Sequence, residues 1–428
     1  MSERMESAAS RPHRHDIDWL RVLAILLLLY FHTAMIFAAE WGWHIKNPET
    51  SYLLLEFNHF LRHFRMPVLF VISGIGTGFA LGFRSPRTYL RERAKRLLVP
   101  LLFGIFVIVP PQIYLERVAQ GAGYSSYLAF LPTVLEFRPY PAGNLSWHHL
   151  WFVLYLFGYS VVALPLFLHL RGDAGARIRA ALARPARGPG LYLAALPLGL
   201  ILAALMPVAP GPQNIVDDWA HLLFYFVFFL YGYLLGNDDA LWRALVDRRR
   251  TSLGLALLAI TAINAIRWNG HHPGVGYTMP AALYQGLVAF NSWCWVLAIL
   301  GYGKRYLSFR NHFLDYANEG IYPFYILHQT VIVVVGFYVV QIEEGILAKF
   351  LFTSTISLLA TVALYEFCVR PYRLTRFLFG MKPPRARSPR QTTSSPPTPP
   401  RPAPAPEPLP APAGVVAAKS RPDHDGRR

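Results

Sequence analysis

The chain has 428 residues, 54% of them apolar or aromatic and only 15% charged, against about 25% charged in an ordinary globular protein. That composition excludes a soluble enzyme and a disordered scaffold, and two cysteines, Cys294 and Cys368, both inside apolar runs, exclude a disulfide framework or a cysteine metal cluster. The net charge of +17 falls between long apolar runs, which points to loops facing anionic lipid and not to nucleic acid.

The first apolar run, Ile17 to about Ala39, follows Arg4, Arg11 and Arg14 and is long enough to span a bilayer. It ends in Glu40-Trp41-Gly42-Trp43, an interfacial belt with no small-residue cleavage site, so it reads as a retained first span. Further helical spans are expected near 64–82, 97–115, 149–170, 191–209, 219–236, 251–267, 279–301, 319–341 and 349–369, ten in all. The expected fold is all-α: a polytopic membrane protein. It divides into an N-terminal segment 1–15, a membrane domain 16–380 and a Pro-rich tail 381–428. That tail holds 14 of the 35 prolines and has too little apolar surface to offset ordering, so it reads as disordered.

Basic residues occupy every second connection. Segment 84–96 carries Arg84, Arg87, Arg91, Arg93, Lys95 and Arg96, and segment 171–188 carries Arg171, Arg177, Arg179, Arg184 and Arg187. Arg243 with Arg248 to Arg250, and Lys304, Arg305 and Arg310, continue the series. The opposing connections are lean in basic residues, and one holds Glu343-Glu344. The positive-inside rule then places both termini in the cytoplasm.

Ionisable residues inside spans are costly in lipid and mark cavities or partners. Arg21 and His32 are eleven residues apart, which on an α-helix leaves only ~20° between them and ~16 Å along the axis. They share one face, the cation near one mouth and the imidazole deep in the membrane. The ninth span places His328, with Gln329 beside it, at similar depth, five residues after Pro323. Trp147 and Trp151 read as an interfacial belt, with His148 and His149 solvated beside it. His59, Arg62, His63 and Arg65 gather before span 2, where cations call for an anionic partner. Ser73-Gly74-Ile75-Gly76-Thr77-Gly78 permits close helix packing, and Glu366 is placed to pair with Arg370.

Together these segments resemble the acyltransferase 3 family of integral membrane acyltransferases, most closely its glucan-biosynthesis branch, over roughly residues 15–380. The resemblance rests on Asp18-Trp19-Leu20-Arg21 with Arg21-x10-His32, on Phe64-Arg65-Met66-Pro67 leading to Ser73-Gly74, and on Glu92-Arg93-Ala94-Lys95-Arg96-Leu97-Leu98-Val99-Pro100. His149-Leu150-Trp151-Phe152, Tyr231-Gly232-Tyr233-Leu234-Leu235-Gly236 and Leu327-His328-Gln329 continue the ordered set. It implies ten spans in a bacterial inner membrane and transfer of a succinyl or acetyl group from cytoplasmic acyl-CoA to an extracytoplasmic glycan such as periplasmic glucan. Acyl-CoA would be a co-substrate, with no permanently bound cofactor and no metal.

Acyl transfer from a thioester to a sugar hydroxyl needs a general base, and imidazole has a suitable pKa. His32 is the expected base, either deprotonating the sugar or relaying the acyl group. Asp18 lies ~21 Å down the same helix, too far to orient it, so the partner must come from another span, and His328 is the candidate by depth. Arg21, Arg93 and Arg96 would meet the donor's phosphates, for which guanidinium forks are suited. Arg65, His149 and Trp151 are the candidates for the acceptor or acyl group. The rival reading is a transporter that exports a glycan or small anion without chemistry.

Overall fold

The computed structural model describes residues 13–211, 214–236 and 238–383. The segment before residue 13 and nearly all of the Pro-rich tail therefore lie outside the described residues. Among those described, the only strand-like pairings are two isolated bridges, Ala38 with Ser51 and Pro139 with Leu145. The rest is helix and connection, as a chain in hydrocarbon must satisfy its backbone internally.

Helix α1 (His15–Phe37) is followed by α2 (Tyr52–Arg62) and α3 (Arg65–Phe83), which form a nearly continuous rod. A long α4 (Pro86–Ala119) comes next, then α5 (Trp151–Val162) and α6 (Leu164–Arg171), α7 (Asp173–Ala186), α8 (Ala195–Leu205) and α9 (Trp219–Leu235). The chain closes with α10 (Asp239–Trp268), α11 (Met279–Tyr306), α12 (His312–Val339) and α13 (Ile346–Leu364). Leu102, Val162, Leu200, Leu258, Leu283 and Leu351 are exposed on the bundle surface. Large apolar side chains in such numbers outside mark a surface that meets lipid.

Among the described residues, seven helices are long and apolar enough to cross a membrane, and nine if each of two bent pairs counts as one span: α5 with α6, bent by 47°, and α7 with Pro189–Leu205, bent by 111°. The seventeen residues of α9 stand at the lower limit for a span. The packing of α1 on α12 decides how the count is completed. Arg21 reaches Asn318, His32 reaches His328, and a Cβ at Gly336 would meet the Ile36 side chain, so the two helices run parallel. Parallel neighbours need an odd number of crossings between them. With each bent pair counted as one span, Tyr52–Phe83, Pro86–Ala119, α10, α11 and the two pairs give six, so α9 completes the odd number, for ten crossings among the described residues. Segment 171–188, read above as a basic loop, is mostly helical: α7 is amphipathic and leaves the axis of the helix that follows.

Two devices shape the bundle. Where α3 crosses α9, a Cβ on Gly74 would lie 2.0 Å from the Phe229 carbonyl oxygen, and one on Gly232 would lie 2.1 Å from that of Val71. The glycines let the two backbones touch, which fulfils the packing role expected of the Ser73–Gly78 stretch. The second device is the π turn. Ala94–Leu98, Gly104–Ile108 and Tyr365–Val369 each end two residues before a proline: Pro100, Pro110 and Pro371. Proline lacks an N–H and its ring crowds the carbonyl four residues back. That carbonyl lies inside the π turn every time, and the wider turn moves it aside.

Candidate active site

Because α1 and α12 are parallel, they present two matched pairs of polar side chains at two depths. At the deeper level, His328 is fully buried and His32 half-buried, and their rings lie 5.1 Å apart between centroids. The His328 Nδ1–H donates to the Tyr325 carbonyl oxygen at 2.6 Å, which leaves Nε2 as an acceptor. His32 Nδ1 lies 2.9 Å from that Nε2 and must therefore donate to it. The consequence is a fixed tautomer: His32 keeps its own Nε2 lone pair free. The Trp43 ring lies nearly parallel to the His32 ring at 6.3 Å, and Phe31 meets it edge-on at 5.4 Å. The partner proposed for His32 on depth alone is thus in hydrogen-bond contact with it, and Asp18 is engaged elsewhere.

Around this pair stand three further groups. The Arg65 guanidinium lies over the Phe31 ring, 3.5 Å from its centroid, and its Nε is buried without a hydrogen-bond partner. It is close enough to act electrostatically on both histidines. His149 is buried, not solvated, which corrects the reading of its segment as a wet belt. Its Nε2–H donates to the Ile326 carbonyl at 3.0 Å, its ring meets His328 edge-on at 5.4 Å, and its own carbonyl accepts the Tyr325 hydroxyl. Trp151 also points inward, among Phe70, Tyr155 and Tyr225, and touches neither catalytic candidate. His63 is buried as well, whereas Arg62 lies over the Trp41 ring. Glu56 in this region is paired with Arg267 at 2.9 Å.

At the shallower level, Arg21 donates to Asp18 at 2.6 Å and to the Asn318 side chain, so one guanidinium nitrogen is already occupied. Asp18 orients the arginine, not the histidine. Arg96 lies within electrostatic reach of both Arg21 and Arg93, which gathers the three expected donor residues at one end of the bundle. Arg93 also bonds the Thr77 hydroxyl at 2.8 Å, tying α4 to α3. Glu366 and Arg370 pair at 2.7 Å, as their spacing suggested.

At the opposite end, a cleft of about 1250 Å³ is lined by Trp43, His44, Asn47, Gln120, Gln341 and Lys349. A polar chain leads inward from it: Gln329, next to His328 in α12, donates to His44 at 3.2 Å and to Gln112 at 3.0 Å, and Gln112 donates to Thr330 at 2.7 Å. Sequence reasoning missed His44, Gln112 and Asn318. Gln112 and Glu116, four apart on one helix face near the end of an apolar run, were the available signal.

This constellation sits on a chain whose residues 14–366 match the family described as acyltransferase domain. The chain belongs to the acyltransferase 3 family. Similar proteins include "Glucans biosynthesis protein C" of Salmonella typhimurium, 26% identical over 404 residues that cover 90% of this chain and 99% of the relative. The proteins of the same name from Salmonella paratyphi A and Salmonella agona are 26% identical over 392 residues, covering 88% of this chain and 97% of each relative. No solved structure matches. Family and fold together make this a multi-pass membrane acyltransferase.

Proposed function

We propose that the chain transfers a succinyl or acetyl group from cytoplasmic acyl-CoA to hydroxyls of an extracytoplasmic glycan, periplasmic glucan being the acceptor that the Salmonella relatives' names suggest. The setting would be a bacterial inner membrane with both termini in the cytoplasm. The observation that carries the reading is the hydrogen-bond chain from the Tyr325 carbonyl through His328 to His32, which leaves an unprotonated Nε2 on a half-buried imidazole.

In this mechanism Nε2 takes the proton of a sugar hydroxyl as its oxygen attacks the thioester carbonyl. The tetrahedral intermediate carries a negative oxygen that the unpaired Arg65 is placed to stabilise. Collapse breaks the C–S bond, and the His32 imidazolium returns its proton to the departing thiolate. His328 is a positioning residue: it fixes the His32 tautomer and shares the charge that His32 acquires. His149, closed off behind His328, serves to hold that ring and does not meet the acceptor, and Trp151 packs with Phe70, Tyr155 and Tyr225. Arg21, Arg93 and Arg96 receive the donor's phosphates. The ~16 Å of α1 between Arg21 and His32 is comparable with the reach of a pantetheine arm. The acceptor enters from the opposite cleft.

Membranes containing the protein, given radiolabelled acyl-CoA and glucan, should produce labelled glucan. Movement of unmodified glycan without label transfer would instead identify a transporter.

A further inference from the structure

We propose that His44, Glu116 and His148 form a divalent-cation site suited to zinc at the cleft end of the bundle, separate from the histidine pair. The three come from different segments: the connection after α1, the last turn of α4 and the turn before α5. One donor atom from each lies within 4.8 Å of the other two. Tetrahedral zinc, with bonds of 2.0–2.2 Å, sets its ligands about 3.3 Å apart, so modest side-chain movement closes the site.

The arrangement of partners around these residues favours a metal over a simple hydrogen-bond cluster. Each side chain has one polar atom held by a neighbour outside the trio and a second available to a metal. The Glu116 Oε1 accepts the Tyr140 hydroxyl at 2.7 Å, and Oε2 faces His44. The His148 Nδ1 is held by the Ser146 hydroxyl at 2.9 Å, and its Nε2 is buried with no hydrogen-bond partner. The far nitrogen of His44 meets the Gln329 amide. Metal sites are built this way, with outer groups orienting each ligand.

Charge points in the same direction. Glu116 is buried, and neighbouring Arg117 directs its guanidinium to Asn144 and the carbonyls of Pro141 and Gly143. A buried carboxylate without a permanent cation is costly, and a bound metal removes that cost. On binding, the His44 proton moves from Nδ1 to Nε2, which frees the Nδ1 lone pair for the metal, and Gln329 turns its amide so that its oxygen accepts from the Nε2–H. Three protein ligands leave a fourth position open, as in zinc sites that bind water or a substrate oxygen.

The test uses the full chain in nanodiscs, purified with a tag that contains no histidine, and zinc alone as the probe. After equilibration with zinc and removal of free metal, the wild type should retain one equivalent. Cobalt in its place should give the visible absorption of a tetrahedral ion. His148→Ala and Glu116→Gln should each lose the metal, and Tyr140→Phe should weaken binding by about ten- to a hundredfold. His13→Ala should change nothing, which separates the site from the second group, His13, His15 and Asp18, at the start of α1. Failure of the wild type to retain zinc or to give the cobalt spectrum overturns the proposal. So does retention of one equivalent by both His148→Ala and Glu116→Gln.

Discussion

Replacing His328 by phenylalanine keeps a ring in the same space but removes both of its hydrogen bonds, to Tyr325 and to His32. The Nδ1–H of His32 then faces an apolar ring. Leaving such a donor unpaired in a buried site costs about 1–3 kcal/mol. That cost falls only on the competent tautomer, because the other places its proton on Nε2. The fraction of His32 able to accept a proton should therefore drop by about five- to 150-fold. The turnover of labelled acyl-CoA into labelled glucan should fall by the same factor, measured as initial rates in membranes with equal amounts of protein. The KM for acyl-CoA should hold, since the donor arginines lie at the other end of α1. His32→Ala should be more severe than His328→Phe. An unchanged kcat in His328→Phe, or a rise in KM alone, would refute the tautomer argument. A reversed order of severity would make His328 the base.

Arg93→Ala and Arg96→Ala should each raise the apparent KM for acyl-CoA about tenfold to a hundredfold, as lost charge-assisted contacts worth roughly 1.5–3 kcal/mol; exposed Arg91→Ala should be much milder, and equal effects from all three would indicate a generic basic surface. Gly74→Ala should lower the unfolding temperature in detergent, since its Cβ would lie 2.0 Å from the Phe229 oxygen and overpacking typically costs about 1–3 kcal/mol; unchanged stability would show that the α3–α9 crossing does not depend on backbone contact at Gly74. Single cysteines at Val208 and Arg243 should label from opposite sides of the membrane, outside and inside respectively. Labelling from one side would mean that α9 does not cross.

The sequence was most informative where the bilayer imposes a rule. Apolar length located the spans, and the ~20° offset between Arg21 and His32 survives as their common approach to α12. Gly74 was legible because only small residues allow such a crossing. What failed to read out was contact between distant segments. His149 looked solvated because its neighbours are tryptophans, yet the short helical turn His148–Leu150 drives it under His328. The seventeen residues of α9 did not reveal by length alone that they cross; the parallel pairing of α1 and α12 supplies that. His44 lies in a connection with no periodicity, so nothing local announced that it meets Glu116 and Gln329.

The central claim is that His32 is a base and not a packing residue, and His32→Gln tests it most directly. Glutamine can satisfy a hydrogen bond, but it cannot accept a proton near neutral pH. Purified wild type and His32→Gln, reconstituted in proteoliposomes, would be given radiolabelled acyl-CoA on one side and glucan on the other. The account predicts labelled glucan from the wild type only, with acyl-CoA binding retained by the variant; near-wild-type transfer by His32→Gln would contradict it.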